Sequence, residues 1–496
     1  MKIILLNPPR LFSDESPVPV QMHHPPLGLL DIAAVLEEAR HEVSICDAAI
    51  NHMDFEQVRQ ELRQGYDIIG ITALTITRDS TYICASIAKE ENKESTVVLG
   101  GPHVTFLPEL ILGKLPFVDI VVRGEGELTF LELVQRISVG ESYQDINGIS
   151  FRNEKGLPCS NEERKVVENL DSLPFPAWHL VPMRKYFTEY STKELSLQKP
   201  CAVIMTSRGC PGDCIFCSCR AMWGRRVRRK TPEKVIEEIE RLHYEYGVKD
   251  IHFLDDTFTF NKRWVTRFCD ELMKSKTGIT WRCQGRVDTV DDTILATMKK
   301  AGCYYICYGV ESGAERMQGI IQKGITVAQA AEAIKLTKGA GIFVSADFIV
   351  GLPGETREDM EQTFAFIKKS PLHAFSVNAP WIFPGTALYR QALAEGKVDE
   401  TAWFKPCQPI KSVEVPLFYP FYVSDSFSDE AELISLLNQK NSELRTLGFL
   451  VRRMVVERHR WFSLSHLVRH APSTLFKIIK IILRKIKWGF ARKPAT

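Results

Sequence analysis

Short apolar runs alternate with segments of helical period in two blocks of this 496-residue chain, and that alternation admits few folds. In the first block, runs at 2–7, 43–47, 67–73, 96–100 and 118–123 are separated by amphipathic patterns at 29–39, 55–64, 79–89 and 128–137. Such an order predicts a doubly wound parallel sheet in an α/β protein, with ligands beyond the carboxyl ends of the strands. The second block has candidate strands at 202–206, 250–255, 279–282, 304–311, 343–350 and 374–381, and helical patterns at 232–246, 264–275 and 326–338. Six repeats are too few for a full eight-fold barrel. Between the blocks, 146–151 and the turn at 153–156 suggest a hairpin, and Leu173-Pro-Phe-Pro-Ala-Trp178 a proline-stiffened linker. Expected boundaries are therefore 1–145, a connector at 146–200, 201–385, and a mainly helical C-terminal region at 386–496.

Composition is that of an ordinary globular protein, 45% hydrophobic and 25% charged. No apolar run reaches the roughly eighteen residues of a membrane span, and residues 1–9 read as a first strand, too short for a signal peptide. Thirteen cysteines without disulfide-like spacing point to a reducing cytoplasm. The formal charge is +2, yet residues 451–496 hold twelve Lys or Arg and one acid, Glu457. The remainder is mildly acidic, so the main body carries no signature of nucleic-acid binding.

The chemistry is concentrated in Arg208-Gly-Cys-Pro-Gly-Asp-Cys-Ile-Phe-Cys217, a CxxxCxxC loop after the apolar run 202–205. Thiolates of Cys210, Cys214 and Cys217 can ligate three irons of a 4Fe-4S cluster and leave the fourth iron open to another ligand. A zinc site would want a fourth Cys or His at a characteristic spacing, and only Cys219 is near. With the aromatic Phe216 before the last cysteine, the loop resembles the signature of the radical S-adenosylmethionine (SAM) enzymes.

Several strand ends of the first block are rich in glycine and proline, which lets a ligand approach the backbone. The series Asn7-Pro-Pro9, Pro25-Pro-Leu-Gly28, Gly100-Gly-Pro-His103 and Gly124-Glu-Gly-Glu127, ahead of the cysteine loop, resembles the cobalamin-binding domain of cobalamin-dependent radical SAM enzymes. The resemblance covers about residues 1–370. It implies an N-terminal cobalamin-binding domain followed by an open, partial (β/α)6 radical SAM barrel, with a 4Fe-4S cluster, SAM and cobalamin as cofactors. Thr72, Thr75, Gly100, Gly101, His103, Gly124, Glu125 and Gly126 are the implied cobalamin contacts. The DxHxxG loop of many cobalamin carriers is missing, which leaves the lower face of cobalt unassigned; His103 is read as a contact to the nucleotide tail or a solvent-facing residue.

For SAM, the resemblance implies Phe216 of the loop, Asp255 and Asp256 near the methionyl amino group, Arg286 for its carboxylate, Glu311 for the ribose diol and Gly351 below the adenine. Helix caps, surface carboxylates, a buried salt bridge and a plain strand-to-helix turn are the bland alternatives. The basic run Arg225-Arg-Val-Arg-Arg-Lys230 reads as a solvated face, and Cys219, Cys303 and Cys307 as core thiols. The implied reaction is reductive cleavage of SAM to a 5′-deoxyadenosyl radical, hydrogen abstraction from an unactivated carbon, and methyl transfer from cobalamin. A radical cyclase of the anaerobic tetrapyrrole type is the runner-up. A methylthiotransferase lacks its N-terminal cysteine triad here, and a non-enzymatic cobalamin sensor leaves the cysteine loop without purpose. An electron donor such as a flavodoxin or ferredoxin is implied as a partner.

Residues 475–490 set Ile, Leu, Phe and Trp at helical spacing against Lys and Arg, the pattern of a helix lying on an anionic membrane surface or of a docked terminal helix. A peripheral location at the inner face of the membrane would suit a lipid, isoprenoid or tetrapyrrole substrate.

Overall fold

A computed structural model describes residues 1–9, 24–187, 196–405 and 420–444. The first sheet holds β1 (Lys2–Asn7), β2 (Glu42–Asp47), β3 (Ile68–Thr72), β4 (Thr96–Gly100), β5 (Ile120–Val122), β6 (Ile149–Arg152) and β7 (Pro158–Ser160), in the order β2-β1-β3-β4-β5-β6-β7. β1 to β5 run parallel, and β6 and β7 are antiparallel additions. The hairpin in the stretch expected as a connector thus extends this sheet, because the edge of β5 offers unpaired backbone groups that β6 takes up. Alternation along β1 sends Ile3 and Leu5 against the helices Leu27–Glu38 and Gly126–Ser138, and Ile4 and Leu6 against Phe55–Leu62 and Arg78–Glu91. The chain winds from β1 outward in both directions, which makes the β1/β3 junction the switch point where ligands collect.

The second sheet contains β8 (Cys201–Ile204), β11 (Asp250–Phe253), β12 (Thr280–Gly285), β13 (Cys303–Glu311), β14 (Phe343–Ile349) and β15 (Ala374–Asn378); a short antiparallel pair, β9 (Ser207–Arg208) with β10 (Arg228–Arg229), stands apart. The six strands are parallel and in chain order from β8 to β15, as a partial barrel requires. Phe253, Phe258, Phe268 and Trp281 interlock under the outer helices, with ring centroids 4.6 to 5.6 Å apart. Tyr305, Cys307 and Gly309 of β13 are half-buried, whereas Ile306, Tyr308 and Val310 pack into that outer core.

Segments after the barrel tie it to the first sheet. Helix Ala387–Ala394 and Trp403 bury Leu388, Tyr389 and Trp403 in the same cluster as Tyr82, Val104 and Leu107. The proline linker is packed too: Lys234 and Arg241 lie over the Phe175 ring at 3.8 and 4.2 Å, and the Ala177 N–H donates to the Leu30 carbonyl at 3.2 Å. Among the described residues no helix is long and apolar enough to cross a membrane. The basic tail at 475–490 lies outside the described residues.

Candidate functional site

The cysteine loop leaves the end of β9 through Gly209, whose φ of +99° is open to glycine. Backbone bonds then fix the loop at several points. The Cys210 N–H donates to the Gly224 carbonyl at 3.2 Å, the Ile215 N–H to the Ile321 carbonyl at 3.1 Å, and the Ile215 carbonyl accepts the Leu388 N–H at 2.8 Å. Phe216 packs between the Leu388 cluster and a small core of Ala314, Met317, Ile321 and Leu352. In this structure the aromatic before the last cysteine is an anchor for the loop.

Cys210 and Cys214 are half-buried and Cys217 is exposed. A Cβ on Gly212 would lie 3.5 Å from Cys210 Sγ, 3.7 Å from Cys214 Sγ and 3.5 Å from Arg286 Nη1, so a bare glycine faces two sulfurs and a guanidinium. Hydrogen bonding to Cys219, helped by the Gly212 N–H and the Arg286 charge, pulls the Cys210 thiol down to about 6 against its burial. The Cys217 thiol is also lowered, first by Cys219, whereas burial pushes Cys214 up to about 11 with Lys323 opposing. Thiolates are the iron-binding form, and two cations stand where they favour it. Among the described residues no three His, Cys, Asp or Glu side chains converge on a point for one ion. Thiols that each bind a different iron of a cluster need no such convergence. Cys219 is buried but tied to this loop: its N–H donates to Cys217 Sγ at 3.4 Å and its thiol to Asp256 Oδ2 at 2.9 Å.

The strand-end residues divide into engaged and open groups. Asp255 is fully buried and accepts the Thr206 N–H at 3.1 Å, the Thr206 hydroxyl at 2.6 Å and the Ser207 hydroxyl, which ties the end of β11 to the loop stem. It does not cap the next helix; Asn261 does. Asp256 is open to solvent within a cleft whose packing raises its carboxyl above the usual range. Arg286 pairs with Asp288 through Nε and Nη2, each at 3.0 Å, and Nη2 reaches the Lys323 carbonyl at 3.0 Å; among the described residues Nη1 makes no hydrogen bond.

Glu311 is buried with φ of +67°, at a register irregularity of β13, and accepts Lys323 Nζ at 2.5 Å. A side chain at Gly309 would run into Glu311 Oε1 and lie 2.6 Å from Lys323 Nζ, so it would push this pair aside. Gly351 forms the strand-to-helix turn after β14. Its φ is +101°, its N–H donates to Glu355 Oε2 at 2.6 Å, and Leu433 of the helix Glu430–Leu444 sits 3.1 Å from where a Cβ would be. That is the strand-to-helix turn, already filled by a leucine.

A cavity of about 570 Å³ lies against the carboxyl ends of the first sheet, lined there by Asn7, Thr72, Gly100, Gly101 and Gly124 to Glu127, and by Met205, Arg208, Met222, Trp223 and Leu254 from the second block. Gly101 combines a φ of +106° with a Cβ position only 2.8 Å from the Ala73 carbonyl oxygen, so the backbone must come bare at this wall. Gly124, with φ of +69°, has nothing within 4 Å of its missing Cβ. A broad, mostly apolar chamber edged by bare backbone fits a large planar cofactor such as cobalamin.

Two expected contacts are absent from that lining, Thr75 and His103. The His103 ring is fully buried; Nε2 shares a hydrogen bond with the Tyr82 hydroxyl at 2.9 Å, Nδ1 with Thr75 Oγ1 at 3.3 Å, and Trp403 meets it edge-on at 5.5 Å. Burial, with Arg78 adding to it, lowers the ring to about 3. The Gly-Gly-Pro turn starts a short helix, Pro102–Thr105, that points His103 into the core and away from solvent and cavity alike.

Sequence reasoning missed the ion pairs that join the two blocks, although it had named Glu125 as a cobalamin contact. Arg208 reaches Asp31 at 3.2 Å, Glu125 at 3.2 Å and Glu127 at 2.5 Å. Arg228 also pairs with Glu125, and Lys230 with Glu238 at 2.8 Å, so only Arg225 and Arg226 of the basic run behave as a solvated face. Charged residues adjoining two glycine motifs and the cysteine loop were the available signal. Lys323, in the turn before Gly324, had none.

The Radical SAM superfamily model matches residues 204–367, and the B12 binding domain model residues 18–134. An uncharacterized methyltransferase of Pyrococcus horikoshii is 40% identical over 82% of this chain and 86% of its own length. The anaerobic magnesium-protoporphyrin IX monomethyl ester cyclase of Rubrivivax gelatinosus is 32% identical over 72% of this chain and 65% of its own length. In fold, the chain is similar to the radical S-adenosylmethionine methyltransferase TsrM of Kitasatospora setae, with TM-score 0.71, 16% identity and coverage of 90% of this chain and 89% of TsrM. The cobalamin-dependent S-adenosylmethionine radical enzyme OxsB gives TM-score 0.64 at 20% identity, over 80% of this chain and 55% of OxsB. With both family models in this order and a relative matched along most of its length, the chain belongs to the radical SAM superfamily, among the members that carry an N-terminal B12-binding domain.

Proposed function

We propose that this chain is a cobalamin-dependent radical SAM methyltransferase acting on an unactivated carbon of a small-molecule substrate. The observation that carries it is the shared chamber: the glycine-rich ends of the first sheet form one wall, and Arg208, at the stem of the cysteine loop, stands in the other. When bound, the cluster and SAM supply a carbon-centred oxidant, and cobalamin supplies a transferable methyl group. Cys210, Cys214 and Cys217 hold the cluster. The free Arg286 Nη1 and the open Asp256 carboxylate, on either side of that loop, suit a ligand bearing both a carboxylate and an ammonium group, as the methionyl part of SAM does. Lys323 holds Glu311 in place beside them. Met205, Met222, Trp223 and Leu254 keep the chamber wall apolar and exclude water from a reactive intermediate.

The 32% identity to an anaerobic cyclase favours a second reading, ring closure without methyl transfer. Product mass separates the two, since only methylation adds a methylene. The test is anaerobic incubation of the iron- and cobalamin-loaded protein with SAM, a flavodoxin or ferredoxin donor and extracts offering lipid, isoprenoid or tetrapyrrole candidates. Formation of 5′-deoxyadenosine that is lost when Cys210, Cys214 and Cys217 are all changed to Ala is the expected result; cleavage of SAM by that variant refutes the assignment.

A further inference from the structure

Arg208 is gripped by carboxylates from two separate motifs of the first domain: Asp31, just after Pro25-Pro-Leu-Gly28, and Glu125 and Glu127 of Gly124-Glu-Gly-Glu127. It stands two residues ahead of Cys210 and lies over the Trp223 ring at 5.2 Å. Its three acceptors are not equivalent. Glu125 has both oxygens engaged, taking Arg208 at 3.2 Å, the Val167 N–H at 3.2 Å, and Arg228. Glu127 gives one oxygen to Arg208 at 2.5 Å, and its other oxygen, Oε2, is buried without a hydrogen-bond partner among the described residues. Glu127 is 4% exposed and lines the chamber. A buried carboxylate oxygen with no donor is unfavourable until something in the cavity supplies one.

We infer that Glu127 and Arg208 form a latch between the two cofactor sites, in which a carboxamide N–H on the rim of bound cobalamin donates to Glu127 Oε2 and thereby orders the Arg208 stem of the cysteine loop. The inference rests on the cobalamin reading of the chamber. A corrin ring is edged with neutral amides, which match a lone carboxylate oxygen in an apolar wall. Arg208 and Glu127 are positioning residues here: they touch the cofactor or the loop, and the reacting atoms lie elsewhere. The coupling is reciprocal, so cobalamin should alter the environment of the cluster, and disruption of the latch should weaken cobalamin.

The test uses the full chain, purified anaerobically with iron and without cobalamin. Hydroxocobalamin is titrated in and followed by absorbance, and the electron paramagnetic resonance spectrum of the reduced cluster is recorded before and after saturation. In the unaltered chain, saturation should change the cluster spectrum. Glu127→Gln should bind hydroxocobalamin roughly ten- to a hundredfold more weakly, the loss of one charged hydrogen bond. Arg208→Lys, whose point charge cannot span three carboxylates, should keep its iron but lose the cobalamin-dependent spectral change. If Arg208→Lys fails to fold by circular dichroism, Glu127→Gln carries both readouts alone. An affinity for hydroxocobalamin unchanged in Glu127→Gln, or a cluster spectrum indifferent to cobalamin in the unaltered chain, overturns the latch. Weaker SAM binding with unchanged cobalamin binding assigns Oε2 to the SAM ammonium and overturns it as well. Failure of the unaltered chain to bind hydroxocobalamin at all refutes the cobalamin reading itself.

Discussion

Gly209→Ala is the smallest change that should dislodge the cysteine loop. The residue sits between Arg208 and Cys210 with φ of +99°, a conformation closed to alanine at a strain of about 1–3 kcal/mol. A Cβ there would also overlap the Arg226 carbonyl oxygen and lie 3.0 Å from its carbon and 3.3 Å from the Gly224 carbonyl oxygen. Both neighbours are backbone, so no side chain can swing away, and overpacking of this kind adds about 1–3 kcal/mol. The sum is roughly 2–6 kcal/mol. Relief is available by moving the Cys210 end of the loop, which releases the Cys210 N–H bond to Gly224 and displaces a proposed cluster ligand. Iron per chain should therefore fall well below that of the unaltered protein, and urea unfolding should shift to lower denaturant. Gly156→Ala is the control: φ is +75° there but nothing lies within 4 Å, so it should lose only about 1 kcal/mol and no iron. If Gly209→Ala matches that control in both iron content and unfolding, the overlap argument is wrong.

Three further outcomes follow from named groups. Glu355 is 1% exposed and its carboxyl is pushed up to about 7 by burial, so the folded state keeps a proton that the unfolded chain gives up near 4.5. Its contribution is full below about 4.5 and lost as pH rises through about 7, a loss of roughly 3 kcal/mol; urea unfolding at pH 5 and 8 should show Glu355→Gln gaining on the unaltered chain at the higher pH, and parallel curves would contradict this. His103→Ala should destabilise by about 2–4 kcal/mol through the lost Tyr82 bond and the hole left behind, yet leave the paramagnetic spectrum of bound cobalt unchanged; a change from nitrogen-ligated to unligated cobalt would show that His103 is a ligand after all. Residues 475–490 should bring the protein down with anionic but not neutral vesicles at low salt, and deletion of 472–496 should abolish this without affecting SAM cleavage; no sedimentation, or an unfolded deletion, removes the case for a membrane-derived substrate.

The strands of both sheets were legible because each buries a local pattern: β1 and β4 begin and end where the apolar runs do, and all six barrel strands overlap their predicted spans, β12 running three residues further. The cysteine loop was legible for a similar reason, since three cysteines within eight residues carry their geometry in their spacing. Glycine-rich strand ends announced the chamber through their order along the chain, since a single glycine at a strand end can equally serve a turn, as Gly351 does. Which of these residues face the chamber was not legible. His103 lies in a motif that reads as a cofactor contact, and its direction was decided by a four-residue helix; the space beside Gly351 is taken by Leu433, a side chain far along the chain. Arg208 finds Glu127 across 81 positions and Asp31 across 177. Periodicity and spacing report what a residue does with its near neighbours. Pairing of charges across two domains depends on where the sheets meet, and only the tertiary structure supplies that.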